Sequence, residues 1–425
     1  MFDSLIFDLD GTFWDSTAVV ADAWNAVIDK REDIAFHATS DNLKQYFGRP
    51  LPVIADMIFP ELPYDERQAL MDECNESEHV FLARTPGTLF AGVREALEVL
   101  SKKYPLYIVS NCESGYIEVF LEGTGLGEYF KDFTCPGDTG KYKAENIQII
   151  VERNGLKNPV YIGDTMGDAS AAAAAGVPFI FAAYGFGEVS EYAAKVDSFS
   201  QLPAILEGLE TDAEFHTFDM STWPRAEHFH YYMNLIKTRY NLNANIDITH
   251  FLTRCKEQNL RFFPSMLHMI MRAVNDNKEF RTAIAPDGQV GYWEHCNPSY
   301  TIFHEDDKTF SDIWTGYSPD FDTFYKNVIS DMETYRDVKG IKAKPGRPGN
   351  FTSVSSLPWL SFSGHGCDTF SESKMILPIL LFGKYFEQNG RILLPFSISV
   401  NHAAADGYHS AKLINDIQDF CNRFN

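Results

Sequence analysis

The residue pattern of this chain changes once, near Leu209–Glu214, and the change limits the folds open to it. Before it, short apolar segments such as Leu106–Ser110 and Val160–Gly163 alternate with segments whose apolar residues recur every three or four positions. That alternation of strands and helices predicts a doubly wound parallel sheet. After it, amphipathic helices mix with aromatic-rich segments such as Asn297–His304 and Leu393–Val400. This second pattern predicts an α+β domain with a mixed sheet.

The length of the chain agrees with two domains, because 425 residues exceed what one core ordinarily holds. We expect an α/β domain at residues 1–210, with its core in 1–16 and 83–210 and a helical cap at 17–82. We expect a two-layer α+β domain at residues 214–425. In the first domain, ligands should bind at the carboxyl ends of the parallel strands.

Charge, cysteine spacing and hydropathy exclude several classes of protein. The net charge of −23 argues against a nucleic-acid partner, since phosphate backbones are bound by an excess of Lys and Arg. The seven cysteines form no CxxC pair, so neither a disulfide framework nor a zinc knuckle is predicted. No apolar run of the sequence approaches the ~20 residues of a membrane span. We therefore predict a cytoplasmic protein without a membrane partner.

The segment FDLDGT follows the first predicted strand and brings two carboxylates, Asp8 and Asp10, to its end. Cleavage of a phosphate ester through a carboxylate needs a nucleophile, an acid/base, a divalent cation and donors for the phosphoryl oxygens. Asp8 and Asp10 can supply the first two. Asp164 and Asp168, in GDTMGD, suit Mg²⁺ because that ion prefers oxygen ligands. The motifs together predict phosphoryl transfer.

Donors for the phosphate group are predicted at strand ends and in nearby loops. Ser110 ends the second strand, and the segment GKYK offers two lysines, of which Lys141 is our first choice and Lys143 the alternative. The choice of substrate is expected to rest with the cap. The other predicted substrate-binding residues are Thr12, Asn111 and Arg49.

Roughly the first 208 residues contain DxDGT, a serine at a strand end, a lysine and GDxxxD, in that order. This segment resembles the haloacid dehalogenase superfamily of aspartyl phosphatases. The helical insertion is similar to the cap of phosphoglycolate phosphatase-like members. The resemblance implies that Asp8 is the nucleophile and Asp10 the general acid/base. It also implies that Asp8, Asp164 and the Asp10 carbonyl group bind Mg²⁺, with Asp168 as a further carboxylate. The expected substrate is a small-molecule phosphate ester.

The segment VNHAAADGYH places His402 four residues before Asp406. A single histidine is more often structural than catalytic, so the motif gains its weight from its context. Arg225 in TWPRAEHF, Ser355 in VSSLPW and Lys384–Tyr385 before the last strand accompany it. Together these residues point to acyl transfer with a histidine base.

With Arg225, Ser355 and His402 in this order along the chain, the segment 214–425 resembles chloramphenicol acetyltransferase. The resemblance implies that His402 takes the proton of an acceptor hydroxyl, which attacks acetyl-CoA, and that Ser355 stabilises the oxyanion. It implies that Asp406 pairs with Arg225 to hold the loop, and that the protein is a homotrimer with each site built across a subunit interface. The other implied contacts are with CoA (Arg261, Lys384, Tyr385) and with the acceptor (Tyr231, Tyr232, Phe310).

Four positions depart from the pattern of that family. Asn401 replaces the first of two paired histidines, which is not the base. His365 and Cys367 stand where the family usually has Phe and Leu, and Leu381 replaces a Thr. Because a polar histidine then stands in the predicted wall of the acceptor pocket, the sequence does not decide whether the acceptor is chloramphenicol or another hydroxylated small molecule.

We therefore predict a bifunctional enzyme that uses Mg²⁺ in its first half and acetyl-CoA in its second. The alternative is that one half has lost its chemistry and serves as a scaffold or as a metabolite- or CoA-binding module. No ionisable group assigned to chemistry is missing from either set, which favours two active sites.

Overall fold

The computed structural model describes residues 2–285, 287–367 and 375–425, and the chain forms two compact units, Met1–Leu206 and Glu207–Asn425. The division lies within the helix Leu202–Thr211, not after residue 210. The Thr211 carbonyl group accepts hydrogen bonds from the side-chain amides of Asn297 (3.1 Å) and Asn350 (3.2 Å), so the end of this helix belongs to the second unit. Both predicted fold classes are confirmed.

The first unit contains a six-stranded sheet in the order β5-β4-β1-β6-β7-β8, and all its pairings are parallel. A short antiparallel pair, β2 and β3, lies apart from it. The strands are β1 (Ser4–Phe7), β2 (Trp14–Asp15), β3 (Thr88–Leu89), β4 (Leu106–Val109), β5 (Phe130–Thr134), β6 (Pro159–Gly163), β7 (Phe179–Ala182) and β8 (Ala194–Val196).

Helices account for most of the rest of this unit, and the first four of them begin in the predicted cap, the fourth ending two residues beyond it. Short 3₁₀ turns add Gly127–Tyr129 and Phe199–Gln201. The helices are α1 (Thr17–Ile28), α2 (Ser40–Leu43), α3 (Leu51–Ile58), α4 (Tyr64–Arg84), α5 (Val93–Leu100), α6 (Tyr116–Thr124), α7 (Pro136–Thr139), α8 (Lys143–Asn154), α9 (Met166–Ala175) and α10 (Leu202–Thr211).

The central strands of this sheet are buried along their whole length because helices cover both faces. All four residues of β1 are buried, and Ile6 packs with Val109, Ile147 and Tyr161 in one core cluster. Since β4, β1 and β6 are neighbours and run in the same direction, the residues that follow them meet at one edge of the sheet. That edge carries the first candidate site.

The second unit contains a seven-stranded mixed sheet and a separate three-stranded antiparallel sheet. The order of the large sheet is β10-β18-β16-β15-β13-β14, with β17 paired to β18; the small sheet has the order β11-β12-β9. The strands are β9 (Phe215–Thr217), β10 (Arg239–Asp247), β11 (Thr282–Ile284), β12 (Val290–Trp293), β13 (Asn297–Phe303), β14 (Phe310–Trp314), β15 (Phe351–Leu357), β16 (Ile379–Gly383), β17 (Phe386–Gln388) and β18 (Arg391–Asn401).

Helices form the second layer of this unit and cover the large sheet. Residues of α13 and α15 such as Leu267 and Leu413 share a buried cluster with Phe396 of β18. None of the described helices is both long and apolar enough to cross a membrane. The helices are α11 (Ala226–His230), the π-helix Tyr231–Leu235, α12 (Thr249–Glu257), α13 (Phe262–Asp276), the 3₁₀ turn Lys278–Arg281, α14 (Phe321–Thr334) and α15 (Gly407–Arg423).

Candidate active sites

The first candidate site lies where β1, β4 and β6 end. Asp8, Ser110 and Asp164 each follow one of these strands directly, and all three are buried. Gly11 has a φ of +78°, which glycine adopts without strain. A Cβ atom at this position would lie 2.1 Å from Asp164 Oδ2, so only glycine lets the chain pass this close to the carboxylate.

The cation of this site is Lys143, not Lys141. Lys143 is buried at the first position of α8, and its Nζ donates to Asp8 Oδ1 at 2.6 Å and to Asp168 Oδ1. Lys141 is exposed, two residues before the helix begins. The first choice from the sequence is therefore corrected to the alternative.

Three buried carboxylates, those of Asp8, Asp164 and Asp168, have ligand atoms within 4.8 Å of one another. Lys143 is the cation paired with them among the described residues, so the cluster carries an excess of negative charge. Burial and the charge of Asp168 raise the pKa of Asp8 to about 7, although Lys143 acts in the opposite direction. Burial and the charges of Asp168 and Asp8 raise the pKa of Asp164 well above its ordinary value.

The carboxylate of Asp164 is the best indication of what this cluster holds. Its Oδ2 accepts a hydrogen bond from the Phe186 backbone at 2.7 Å, whereas its buried Oδ1 has no partner among the described residues. A buried carboxylate oxygen without a partner is costly. A divalent cation would satisfy that oxygen and offset the negative charge, so the cluster fits Mg²⁺. Asp168 is more fully engaged, because its Oδ2 accepts from Thr165 N and Oγ1.

The Asp10 carboxyl group is held by three donors that converge on one oxygen. Trp14 Nε1 (2.9 Å), Ser16 Oγ (2.5 Å) and Tyr116 OH (3.0 Å) all donate to Oδ1. Burial raises the pKa of Asp10 to about 6, although these hydrogen bonds act to lower it. The other oxygen is engaged in none of these bonds and is free to exchange a proton. A carboxyl group with this pKa can act as an acid and as a base near neutral pH.

A cavity of about 40 Å³ opens over Asp8, Asp10 and Ser110 and is lined on its other side by the cap. Arg49 lines it, as expected of a substrate contact. Asn111 also lines it, but its Nδ2 donates to the Gly48 carbonyl group at 2.8 Å, which ties the cap to the strand end.

Two predictions about this cavity need correction or addition. Thr12 is fully buried and does not line the cavity, so the structure does not support its role as a substrate contact. Sequence reasoning missed Glu78 and Trp24, which do line it. The sequence of α4 does not single out Glu78, because acidic residues lie on several sides of that helix. Only the packing of α4 on α1 determines which of them is buried.

The second candidate site has the predicted ion pair at the start of α15. Arg225 Nη1 donates to Asp406 Oδ2 at 2.7 Å, and Arg225 Nη2 donates to the His402 carbonyl group at 3.3 Å. Asp406 is the N-cap of α15, and its Oδ1 accepts hydrogen bonds from the Tyr408 backbone and from His409. Partial burial acts to raise the pKa of Asp406, but the Arg225 hydrogen bond and the charge of His409 hold it below its ordinary value.

The imidazole ring of His402 is fixed by aromatic neighbours. It stacks on Tyr232 with ring centres 3.9 Å apart and an angle of 5° between the planes, and Tyr240 lies at 5.0 Å. The His402 backbone donates to the Thr238 carbonyl group at 3.0 Å. Its Nδ1 is buried and has no hydrogen-bond partner among the described residues.

Ser355 lines a different and much larger cavity of about 910 Å³. Lys384, Tyr385 and Phe310 line it too, which brings two predicted CoA contacts and one acceptor contact to Ser355. Arg261 is not among the lining residues; it precedes Phe262, which is, and it pairs with Glu333 at 3.2 Å. The aromatic lining and the volume suit a ligand the size of a cofactor.

Within one chain, Ser355 and His402 lie far apart. Ser355 is level with Leu381 on β16, which is level with Ser397 on β18. His402 lies five residues beyond Ser397, roughly 17 Å further along the strand direction at about 3.4 Å per residue. Two strand spacings of about 4.8 Å add to that separation. Tyr231 and Tyr232 remain with His402, and neither lines the Ser355 cavity.

Of the positions that depart from the family's pattern, His365 and Cys367 lie beside β10, whereas Leu381 lies beside Ser355. The backbone N–H groups of His365 and Cys367 donate to Asn243 (2.9 Å) and Asn241 (3.3 Å) of β10, and neither residue lines the Ser355 cavity. Leu381 is buried beside Ser355 in the sheet.

Comparison with known proteins divides the chain in the same way. The family model of chloramphenicol acetyltransferase matches residues 213–418, and that of haloacid dehalogenase-like hydrolases matches residues 5–182. A chloramphenicol acetyltransferase from Clostridium perfringens is 40% identical over 211 residues, which are 50% of this chain and 96% of that protein. One from Clostridium butyricum is 41% identical over 210 residues, which are 49% of this chain and 96% of that protein.

A solved structure is similar to the first half. It is a hydrolase of the haloacid dehalogenase-like family from Streptococcus pneumoniae, with 20% identity and a TM-score of 0.43, covering 48% of this chain and 98% of that one. The chain therefore belongs to the chloramphenicol acetyltransferase family through its second half, and its first half matches the family model of haloacid dehalogenase-like hydrolases.

Proposed function

We propose that the first unit hydrolyses phosphomonoesters with Mg²⁺ and that the second transfers an acetyl group from acetyl-CoA to a small hydroxylated acceptor. The observation that carries the first assignment is the Oδ1 of Asp164, which has no hydrogen-bond partner in the described part of the chain and lies in a cluster of three buried carboxylates. For the second, it is the 40% identity to an acetyltransferase over 96% of its length, together with the Arg225–Asp406 pair.

In the first reaction, the Asp8 carboxylate attacks phosphorus and forms an aspartyl-phosphate. Asp10 gives its proton to the leaving oxygen and then takes a proton from the water that hydrolyses the intermediate. Lys143 and Ser110 hold phosphoryl oxygens. Asp8, Asp164 and the Asp10 carbonyl group would hold Mg²⁺, with Asp168 beside them. When bound, this ion stabilises the negative charge on the transferred group.

In the second reaction, neutral His402 takes the proton of the acceptor hydroxyl, whose oxygen attacks the thioester carbonyl of acetyl-CoA. Ser355 donates a hydrogen bond to the oxyanion, a contact worth about 10²–10³ in rate. The hydroxyl proton then passes from His402 to the CoA sulfur. Lys384 and Tyr385 meet CoA, while Arg225 and Asp406 keep the His402 loop in place.

The distance between His402 and Ser355 within one chain supports an active site shared between copies. We propose that His402 of one copy faces the Ser355 cavity of the next, in the homotrimer implied by the family. Exposed apolar side chains lie near each half of the site: Tyr231, Leu235 and Ile236 on one side, and Phe310, Trp359 and Tyr385 on the other. Two different patches that meet head to tail form a ring when the rotation between copies closes, as it does in a trimer.

The acceptor is chloramphenicol or another small alcohol, and the phosphate ester is a small metabolite. No disulfide bond is found among the described residues, which is in keeping with a cytoplasmic enzyme. If chloramphenicol is the acceptor, expression of the protein makes a sensitive bacterium resistant to it.

The test uses the purified full-length chain. Phosphate release from small esters with and without Mg²⁺, and loss of the acetyl-CoA thioester with chloramphenicol and a panel of alcohols, measure the two reactions separately. Asp8→Asn should abolish only the first reaction and His402→Ala only the second. Tight binding of acetyl-CoA with no turnover on any acceptor would instead indicate a CoA-binding scaffold.

A further inference from the structure

The cap contributes one carboxyl side chain to the cavity over Asp10. Glu78 of α4 is buried, with 7% of its surface exposed, and it lines the same cavity as Asp8, Asp10 and Ser110. Its Oε2 accepts a hydrogen bond from Trp24 Nε1 at 2.7 Å. Neither the proposed attack on phosphorus nor the proposed proton transfers use this carboxyl group.

A structural role explains the position of Glu78 but not the choice of a carboxyl group there. No ion pair of Glu78 is found among the described residues, and its one hydrogen bond there comes from the neutral Trp24 indole. A glutamine would accept the same hydrogen bond at lower cost, because burying a carboxylate without a charged partner is unfavourable. Among the described residues, the other carboxyl oxygen of Glu78 therefore has no hydrogen-bond partner, and Glu78 lines the cavity in which a ligand would lie.

The rest of the cavity limits what that ligand is. Its volume of about 40 Å³ leaves room for few groups, since a single water molecule needs roughly 10–15 Å³ on this scale. Leu51, Ile54 and Phe47 add apolar walls, and Arg49 lies on the cap side. The alcohol part of the ester must therefore be small, with a short carbon chain against the apolar walls and a polar end near Glu78.

Building on the phosphatase assignment, we propose that Glu78 selects the substrate. It accepts a hydrogen bond from a hydroxyl or ammonium group on the alcohol part of a small phosphomonoester. The phosphate group lies over Asp8, and the donor group of the same molecule reaches Glu78. The preferred substrates are thus monophosphates of short diols or amino alcohols, not of simple alkyl alcohols.

Three esters of nearly equal size test this specificity on the full-length protein with Mg²⁺: ethyl phosphate, 2-hydroxyethyl phosphate and 2-aminoethyl phosphate. We expect kcat/KM to favour at least one of the two donor-bearing esters over ethyl phosphate by about tenfold or more. Glu78→Gln keeps a hydrogen-bond acceptor and the bond to Trp24, so it should remove a preference for the ammonium ester and retain part of one for the hydroxyl ester. Glu78→Leu should remove both, mainly through KM.

Glu76→Gln is the matched control, because Glu76 is exposed on the same helix and the charge change is the same. It should leave all three ratios as in the wild type. Equal kcat/KM for the three esters, or ratios that Glu78→Gln and Glu78→Leu do not change, would overturn the proposal. If none of these esters, nor p-nitrophenyl phosphate, is hydrolysed, the phosphatase assignment itself fails, which is a separate result. A thermal melt of each variant shows whether the first unit is folded.

Discussion

If His402 and Ser355 act together only across two copies of the chain, two inactive variants should restore activity to each other. His402→Ala removes the proposed base, and Ser355→Ala removes the proposed oxyanion donor. Each variant alone is expected to lose about 10²-fold or more in rate. In a mixed oligomer, a copy with intact His402 can face a copy with intact Ser355, and that site is complete.

The size of the recovery follows from counting interfaces. In an equal mixture assembled at random, a given interface has an intact His402 on one side with a probability of one half and an intact Ser355 on the other with the same probability. About one quarter of the sites in a closed ring are therefore restored. The mixture should therefore have about one quarter of the wild-type activity, which is far above the residual activity of either variant alone. The prediction depends on the register of the sheet, which places the two side chains roughly 17 Å apart along the strand direction.

The assay is the loss of the acetyl-CoA thioester after the two variants are co-expressed and purified together. A mixture of His402→Ala with the double variant His402→Ala, Ser355→Ala contains no intact pair and is the control. Activity of the first mixture that does not exceed the sum of its parents would refute the reasoning, because it would place the complete site within one chain.

Three further outcomes are expected from the two sites. Removal of divalent cations, or Asp164→Asn, should abolish phosphate release and leave acetyl transfer unchanged, as measured by the two assays on one sample. Arg225→Lys should lower kcat for acetyl transfer and destabilise the second unit by about 1–2 kcal/mol. This is less than the ~3–5 kcal/mol expected for a fully buried pair, because about a third of the Asp406 side chain is exposed. An unchanged thermal melt together with an unchanged kcat would contradict this prediction. Burial raises the pKa of Glu78 from 4.5 to about 8. The folded state therefore keeps a proton that the unfolded state has released, and stability falls as pH rises between those values. Glu78→Gln should remove part of that decline, on the order of a few kcal/mol, seen as a higher denaturation midpoint than wild type at pH 8 but not at pH 4.

The sequence was sufficient for the parts of the first site that follow strands. Asp8, Ser110 and Asp164 stand at the ends of apolar segments, and parallel strands bring such ends to one edge whatever the details of packing. The choice between Lys141 and Lys143 could not be made in this way, because it depends on where α8 begins and on which way its first side chain turns. Glu78 was invisible for a related reason, since only contact with α1 decides which side of α4 is buried.

The second site shows a different limit of sequence reasoning. The motif residues around His402 and Ser355 were identified, and the Arg225–Asp406 pair forms as expected. Their spacing along the chain, however, does not determine how far along the strand direction each residue lies in the sheet. That position is set by strand register, which arises from pairings between distant segments. The family resemblance implied a site built across a subunit interface, and the register of β15, β16 and β18 adds a reason within this chain, because it separates Ser355 from His402.

Each unit has a hydrophobic cluster of its own: one includes Ile6 and Ile147, the other Leu267 and Phe396, and the two clusters have no residue in common. Damage to one cluster by heat, by storage or by a substitution therefore need not spread to the other. If the two units unfold independently, we expect a preparation to keep acetyl transfer after its first half has unfolded, or phosphate release after its second half has unfolded. The ratio of the two activities, measured in the same tube, is thus an internal record of which half of the protein is intact, and neither activity alone can certify the whole chain.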